Sequence, residues 1–347
     1  MNSLERVASA LQHKEADRVP AAPLVCGASR RVYGITYAEW AQDGELAAKC
    51  MLQAQELIGF DGMLTLVDLS VEAADFGQEV VFPVEDTPHP NYDNPFIKTP
   101  DDYLKIERID PTKSRRMKEM LKYCEILMNE RGSTVPVMGF VYGPLGILSM
   151  MRSCERLFRD CMHHPEMVIK AEEVITDVLV DYVKAMAKTG VHGIVLDTLF
   201  ASQSIMSKKL WQKIEAPFTT RLAETARENG SMVLVHNCGN GVYFDVQMEA
   251  MNPVAISHAY LPDDCKDFAE LRAKYGGKVT MIGMIDPATY MYLGTPEQAK
   301  QECKRQIEAL GKNGGGFILA TGCEFPPNGS LLNAIAMMEA AELYGRY

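Results

Sequence analysis

Short, continuous apolar runs recur along the chain, each followed by a stretch with apolar residues at helical spacing. Residues 19–25 (VPAAPLV), 62–68 (GMLTLVD), 135–141 (VPVMGFV) and 193–197 (GIVLD) form the first half of the set. Residues 232–236 (MVLVH), 255–258 (AISH), 279–284 (VTMIGM) and 317–321 (FILAT) form the second. Strands covered on both faces read as unbroken Val/Ile/Leu runs rather than as alternation, so these segments predict a buried parallel sheet. Segments 165–188, 208–229, 264–275 and 296–312 carry the period of amphipathic helices, several of them ending near Gly. Eight strands alternating with helices predict an α/β fold of the (β/α)8 TIM-barrel type, led by a helix within the first 18 residues.

An open doubly wound sheet would carry a Gly-rich phosphate turn after its first strand, and the chain has none there. Between the second and third strands, residues 70–134 are too many for a single crossover and form an insertion. Its Pro-, Asn- and Asp-rich part, 83–101, is expected to rim the barrel mouth. With no Pro/Gly/Ser linker and no charge block, residues 1–347 are expected to form one domain.

Composition narrows the partners. The 35 Lys and Arg against 46 Asp and Glu leave a net charge of −11, with no basic stripe to neutralise a phosphate backbone or an anionic membrane. No apolar run approaches the roughly 20 residues of a membrane span, and the charged first turns lack the apolar core of a secretion signal, which predicts a cytoplasmic protein. Nine scattered Cys fit reduced thiols better than a disulfide framework, and raise the question of metal ligation.

In a barrel of this kind, the loops after the strands build the active site. His236 and Cys238, in Val-His-Asn-Cys-Gly-Asn-Gly at the end of the fifth strand, are two residues apart in extended chain. They therefore point the same way and can converge on one ion. Cys323, in Ala-Thr-Gly-Cys-Glu-Phe-Pro-Pro-Asn-Gly, ends the eighth strand, which faces the fifth across a barrel. One imidazole and two thiolates suit Zn²⁺, with a fourth position open for water or substrate. Taken singly, each of the three also fits a packed core residue.

Other polar residues sit at strand ends, where a carboxylate is costly to hide without a partner. Asp68 and Glu72 follow the second strand, Tyr142 the third, Asp197 the fourth and Asp286 the seventh, while His258 ends the sixth. Asp197 and Tyr142 are candidate catalytic groups. Asp68, Glu72, His258, Asp286 and Asn333 are candidate substrate contacts, with Asp68 and Asp286 equally suited to cap helices. Phe140, Phe200 and Tyr260, also near strand ends, suit either core or an aromatic pocket.

At these residues the chain resembles the uroporphyrinogen decarboxylase superfamily, and within it the zinc-dependent methyltransferases that work with corrinoid proteins. The resemblance covers the whole chain through Asp17-Arg18-Val19-Pro20, Gly143-Pro144-Leu145, His236-Asn237-Cys238-Gly239-Asn240 and Gly322-Cys323 with Pro326-Pro327. It implies a (β/α)8 barrel with zinc at its mouth on His236, Cys238 and Cys323. It also implies methyl transfer between a methylcobamide and a small molecule: a thiol, a tetrahydropterin or a methyl ether. The chain has no corrinoid-binding Asp-x-His-x-x-Gly motif, so a partner corrinoid protein is expected to supply the cobalamin. A metal-free decarboxylase is the alternative. That branch carries an Arg-Gln-Ala-Gly-Arg-Tyr segment near its start, where this chain has Gly27-Ala28-Ser29-Arg30-Arg31.

Overall fold

The strands, in chain order, are β1 (Met63–Thr65), β2 (Val80–Val81), β3 (His89–Pro90), β4 (Val137–Tyr142), β5 (Gly193–Asp197), β6 (Met232–Asn237), β7 (Ala255–His258), β8 (Thr280–Ile285) and β9 (Phe317–Thr321). The computed structural model describes residues 1–312 and 314–347. Seven strands make one sheet in the order β1-β4-β5-β6-β7-β8-β9, every neighbour pair parallel. β2 and β3 form a separate antiparallel ladder within the long segment between β1 and β4. Every residue of β4, β5, β7 and β9 is buried, as unbroken apolar runs require. Because all seven strands run the same way, their C-terminal ends gather at one face.

The expected first strand is the exception. Residues 19–25 contribute a single bridge, Ala21 with Leu319, rather than a strand. Pro20 and Pro23 have no N–H to give a ladder, and Leu24 N donates to the Thr321 hydroxyl instead of a backbone carbonyl. Even so, Ala22 N donates to Leu319 O, and Asp61 N donates to Ala21 O just before β1. The segment is thus bonded to β9 on one side and to the lead-in of β1 on the other. Asp61, fully buried, fixes it from below by accepting from Arg6, Arg18 and Ala21 N at 2.6–2.9 Å. The early Asp17-Arg18 pair therefore serves the face opposite the strand ends.

Around the sheet, the helix Pro165–Lys188 forms over the expected span, with Pro at its first position and Gly190 just past its end at φ 88°. Segment 208–229 is divided into Lys208–Ile214 and Ala216–Glu228, because Pro217 cannot continue the first helix's bonding. Segment 264–275 becomes helical only at Phe268, where Asp267 accepts from Glu270 N at 2.8 Å. That leaves Cys265, expected on a helix, in the preceding turn. Among the described residues no helix is long and apolar enough to cross a membrane.

Candidate metal centre

Strand register assembles the centre. Tyr142 pairs with Asp197, Asp197 with His236, and His236 with Ser257, a row crossing β4 to β7 near their C-terminal ends. Paired residues of parallel strands face the same way, so the row presents phenol, carboxyl, imidazole and hydroxyl to one side. Cys238 follows β6 directly. Asn237 braces this turn, donating to Thr198 O at 2.6 Å and accepting from Gly239 N at 2.9 Å. Cys323 follows β9 after Gly322, where a Cβ would lie 2.6 Å from the Cα of Ala259; only glycine lets the chain pass there.

The result is that a ring nitrogen of His236 and the sulfurs of Cys238 and Cys323 all lie within 4.8 Å of one another. Zinc bonds of about 2.0–2.3 Å set tetrahedral donor separations of about 3.3–3.8 Å, so small side-chain movements close these donors on one ion. The His236 Nδ1 lies 3.0 Å from the Ser257 hydroxyl, which directs Nε2 at the thiols. An outer hydrogen bond of this kind is what fixes a ligating imidazole. The donor set, two thiols and one imidazole, fits Zn²⁺ and leaves a fourth position open.

Charge supports the same fit. A hydrogen bond from Cys238 draws the Cys323 thiol well below its ordinary range, with His236 adding to the effect. The same bond, together with burial, pushes Cys238 up. Burial works against the imidazolium of His236, but the hydrogen bond with Cys323 and the charge of Asp197 outweigh it and raise His236. Asp197 is itself pushed up to about 6 by burial, and its Oδ1 has no hydrogen-bond partner among the described residues.

Cys238 and Cys323 open into a cavity of about 590 Å³ whose wall includes Asp86, Tyr260, Asp286, Tyr292 and Glu324. Asp286 both faces this cavity and caps the next turn, accepting from Thr289 N at 2.9 Å. Asp86 comes from the Pro- and Asp-rich part of the long β1–β4 segment.

The remaining predicted contacts are placed differently. Asp68 is buried against Arg116 at 2.5 Å and also accepts from Ser70 N. Glu72, raised to about 8 by burial, accepts from Tyr142 N at 3.2 Å, so it supports Tyr142 from behind. His258 is fully buried against the Phe244 ring, and burial lowers it to about 4. Asn333 is not brought to the centre. It sits in the first turn of the helix Leu331–Tyr344, and its amide donates to the carbonyls of Tyr290 and Gly294, each at 2.9 Å. Phe140 and Phe200 are core, whereas Tyr260 is exposed at the cavity.

Ser257, Glu324 and Glu215 were not singled out from sequence. Glu324, raised to about 8 by burial, accepts from Gly27 N at 3.0 Å. Glu215, also raised to about 8 by burial, accepts from Leu145 N and from the Trp211 indole at 3.2 and 2.7 Å, holding the turn after Tyr142. The two Arg expected by the decarboxylase alternative are placed differently from each other, one buried and one exposed. Arg30 is buried and bonded to Glu85, Asn328 and Pro327 O, and Arg31 donates to Gly329 O.

The profile of the family described as uroporphyrinogen decarboxylase (URO-D) matches residues 2–344. The chain is 24% identical over 343 residues to a methylcobamide:CoM methyltransferase, MtbA, of Methanosarcina mazei, covering 98% of this chain and 97% of the relative. It is 22% identical to a uroporphyrinogen decarboxylase of Xanthomonas oryzae pv. oryzae, over 81% of this chain and 78% of that protein. The fold is similar to that of a solved methyltransferase from Methanosarcina mazei, with a TM-score of 0.83 at 20% identity, covering 99% and 98% of the two chains.

Proposed function

Because the chain belongs to the uroporphyrinogen decarboxylase family, we propose that it is a zinc-dependent methyltransferase moving a methyl group between a corrinoid protein and a small molecule. The substrate is a thiol, a tetrahydropterin or a methyl ether, and the thiol is favoured by the naming of relatives for CoM. One observation carries the reading: His236, Cys238 and Cys323 hold their donor atoms within 4.8 Å of one another, and both sulfurs line a cavity of about 590 Å³. Zn²⁺ held by these residues would lower the pKa of a substrate thiol, so that it is a thiolate at neutral pH.

The protein's own groups do the rest. Ser257 orients His236, Asn237 fixes the turn that carries Cys238, and Glu72 and Glu215 hold the turn that presents Tyr142. Asp197 Oδ1, buried and without a partner among the described residues, is the atom assigned to take the thiol proton. In the direction of thiol methylation, the substrate sulfur attacks the methyl carbon, the S–C bond forms and the Co–C bond breaks. The electron pair stays on cobalt as Co(I), and the thiol proton passes to Asp197 Oδ1.

The same reading takes residues 1–347 as one (β/α)8 barrel. Its first stave is the segment around Ala21, supported by that segment's bonds to β9 and to Asp61 just before β1, and the insertion between β1 and β4 rims its mouth, supported by Asp86 at the cavity. It places the protein in the cytoplasm, supported by nine cysteines that are all free.

The test is demethylation of free methylcobalamin by the zinc-loaded protein, offered a panel of thiols and pterins and followed by the cobalt absorbance. Turnover with at least one acceptor, lost in Cys323→Ala, is expected. Absence of turnover with every acceptor and with the reverse donors overturns the reading.

A further inference from the structure

The cavity above the metal ligands is lined by carboxylates and aromatic rings, and among the described residues no Lys or Arg lines it. Asp86 and Asp286 are both exposed there, and neither forms an ion pair among the described residues. Each uses one oxygen on a backbone N–H, Thr87 for Asp86 and Thr289 for Asp286, which leaves the other oxygen to a ligand. Tyr260 and Tyr292, 47% and 57% exposed, line the same cavity. Rings and carboxylates together are the combination that recognises an ammonium group, through the quadrupole of the ring and the charge of the acid.

Among the described residues, the neighbouring cations stand outside this lining. Arg30 lies behind the wall, bonded to Pro327 O, Asn328 and Glu85. The adjoining groove shares Tyr260 and Asp286 with this cavity and contains Lys266 and Arg305. Arg305 grips Glu302 with two bonds of 2.6 and 2.7 Å, and Lys266 lies 3.9 Å from Glu270. An anionic tail entering this cavity would meet two unpaired carboxylates and, among the described residues, no lining Lys or Arg.

We propose that the end of the substrate remote from its sulfur is positively charged, an ammonium held by Asp86, Asp286 and the rings of Tyr260 and Tyr292. The substrate class is thus a small aminothiol or its S-methyl form, not an anionic thiol. This rests on the thiol reading above.

The test uses thiols with the same two-carbon chain and different charge: 2-aminoethanethiol, 2-mercaptoethanol and 2-mercaptoethanesulfonate. Binding of each to the zinc-loaded full-length protein is measured by calorimetry at low salt, and each is then offered as acceptor for the methyl group of methylcobalamin. The ammonium is expected to bind about tenfold tighter than the neutral alcohol, and the sulfonate more weakly than either, the size that exposed ion pairs with a cation–π contact supply. In the double variant Asp86→Asn, Asp286→Asn, whose amides keep both turn bonds, the ammonium preference is expected to shrink to less than about threefold while 2-mercaptoethanol is unchanged. A sulfonate that binds as tightly as the ammonium overturns the proposal, as does a preference unaltered in the double variant or no binding by any of the three. The expected binding order without methyl transfer would leave this inference standing and remove the methyltransferase reading. Transfer that favours the sulfonate would do the reverse.

Discussion

His236 and Ser257 are register partners on β6 and β7, and the hydroxyl of Ser257 lies 3.0 Å from His236 Nδ1. Removing an outer hydrogen bond to a ligating imidazole typically weakens metal affinity about 10- to 100-fold. Ser257→Ala should therefore bind zinc at least about tenfold more weakly in a chelator competition, with an unchanged circular dichroism spectrum. An unaltered zinc affinity would mean that the hydroxyl does not hold the ring.

Gly322 is where β9 hands over to Cys323, and a Cβ there would meet the Ala259 backbone at 2.6 Å. Neither backbone can yield as a flexible side chain would. Gly322→Ala should cost about 1–3 kcal/mol of stability, as overpacked sites do, and should move Cys323 out of line with His236 and Cys238. Thermal unfolding and bound zinc, measured on the same sample, report the two effects. A variant that is destabilised but still binds zinc at full strength would separate packing from ligation.

Burial raises Glu72 and Glu215 from the usual 4.5 to about 8, so both are protonated in the native protein at neutral pH. Between about pH 4.5 and 8 the native state thus binds more protons than the unfolded chain, and stability falls as pH rises through that window. Each group contributes up to about 1.4 kcal/mol per pH unit, and below about pH 4.5 its contribution is complete. Glu72→Gln keeps an acceptor for Tyr142 N and cannot ionise. Its denaturant-unfolding free energy should decline less steeply from pH 6 to 8 than that of the unchanged protein, both without metal. Equal slopes would show that Glu72 does not titrate in this range.

The parts of this architecture visible in the sequence are those fixed by local pattern. Unbroken apolar runs marked the buried strands, and the two-residue spacing of His236 and Cys238 in extended chain placed both on one side. Residues 19–25 have the same apolar character, but Pro20 and Pro23 withhold the N–H groups a ladder needs, so only the bridge at Ala21 forms. Ser257 was invisible because a serine in a short buried strand carries no spacing signal; only the β6–β7 register gives it a role. Glu324 did leave a trace, as a charged residue directly after Cys323 at a strand end. Asn333 looked like a site residue from its place after the last strand, but its side chain turns to the carbonyls of Tyr290 and Gly294 in the segment following β8.

The ligand assignment also predicts a division between fold and metal. Cys238 and Cys323 are only half-buried, at the ends of strands that β-sheet bonding secures without them. Cys238→Ala and Cys323→Ala should each purify as folded protein with the unfolding cooperativity of the parent, and each should lose stoichiometric zinc. Loss of the fold in both variants would make the thiols structural.

The most direct measurement is zinc-edge X-ray absorption on the purified protein, with metal content determined on the same sample. One zinc per chain with two sulfur neighbours near 2.3 Å and an imidazole nitrogen near 2.0 Å is the predicted result. A zinc surrounded only by nitrogen and oxygen, or a protein that retains no zinc after reconstitution under reducing conditions, would contradict it.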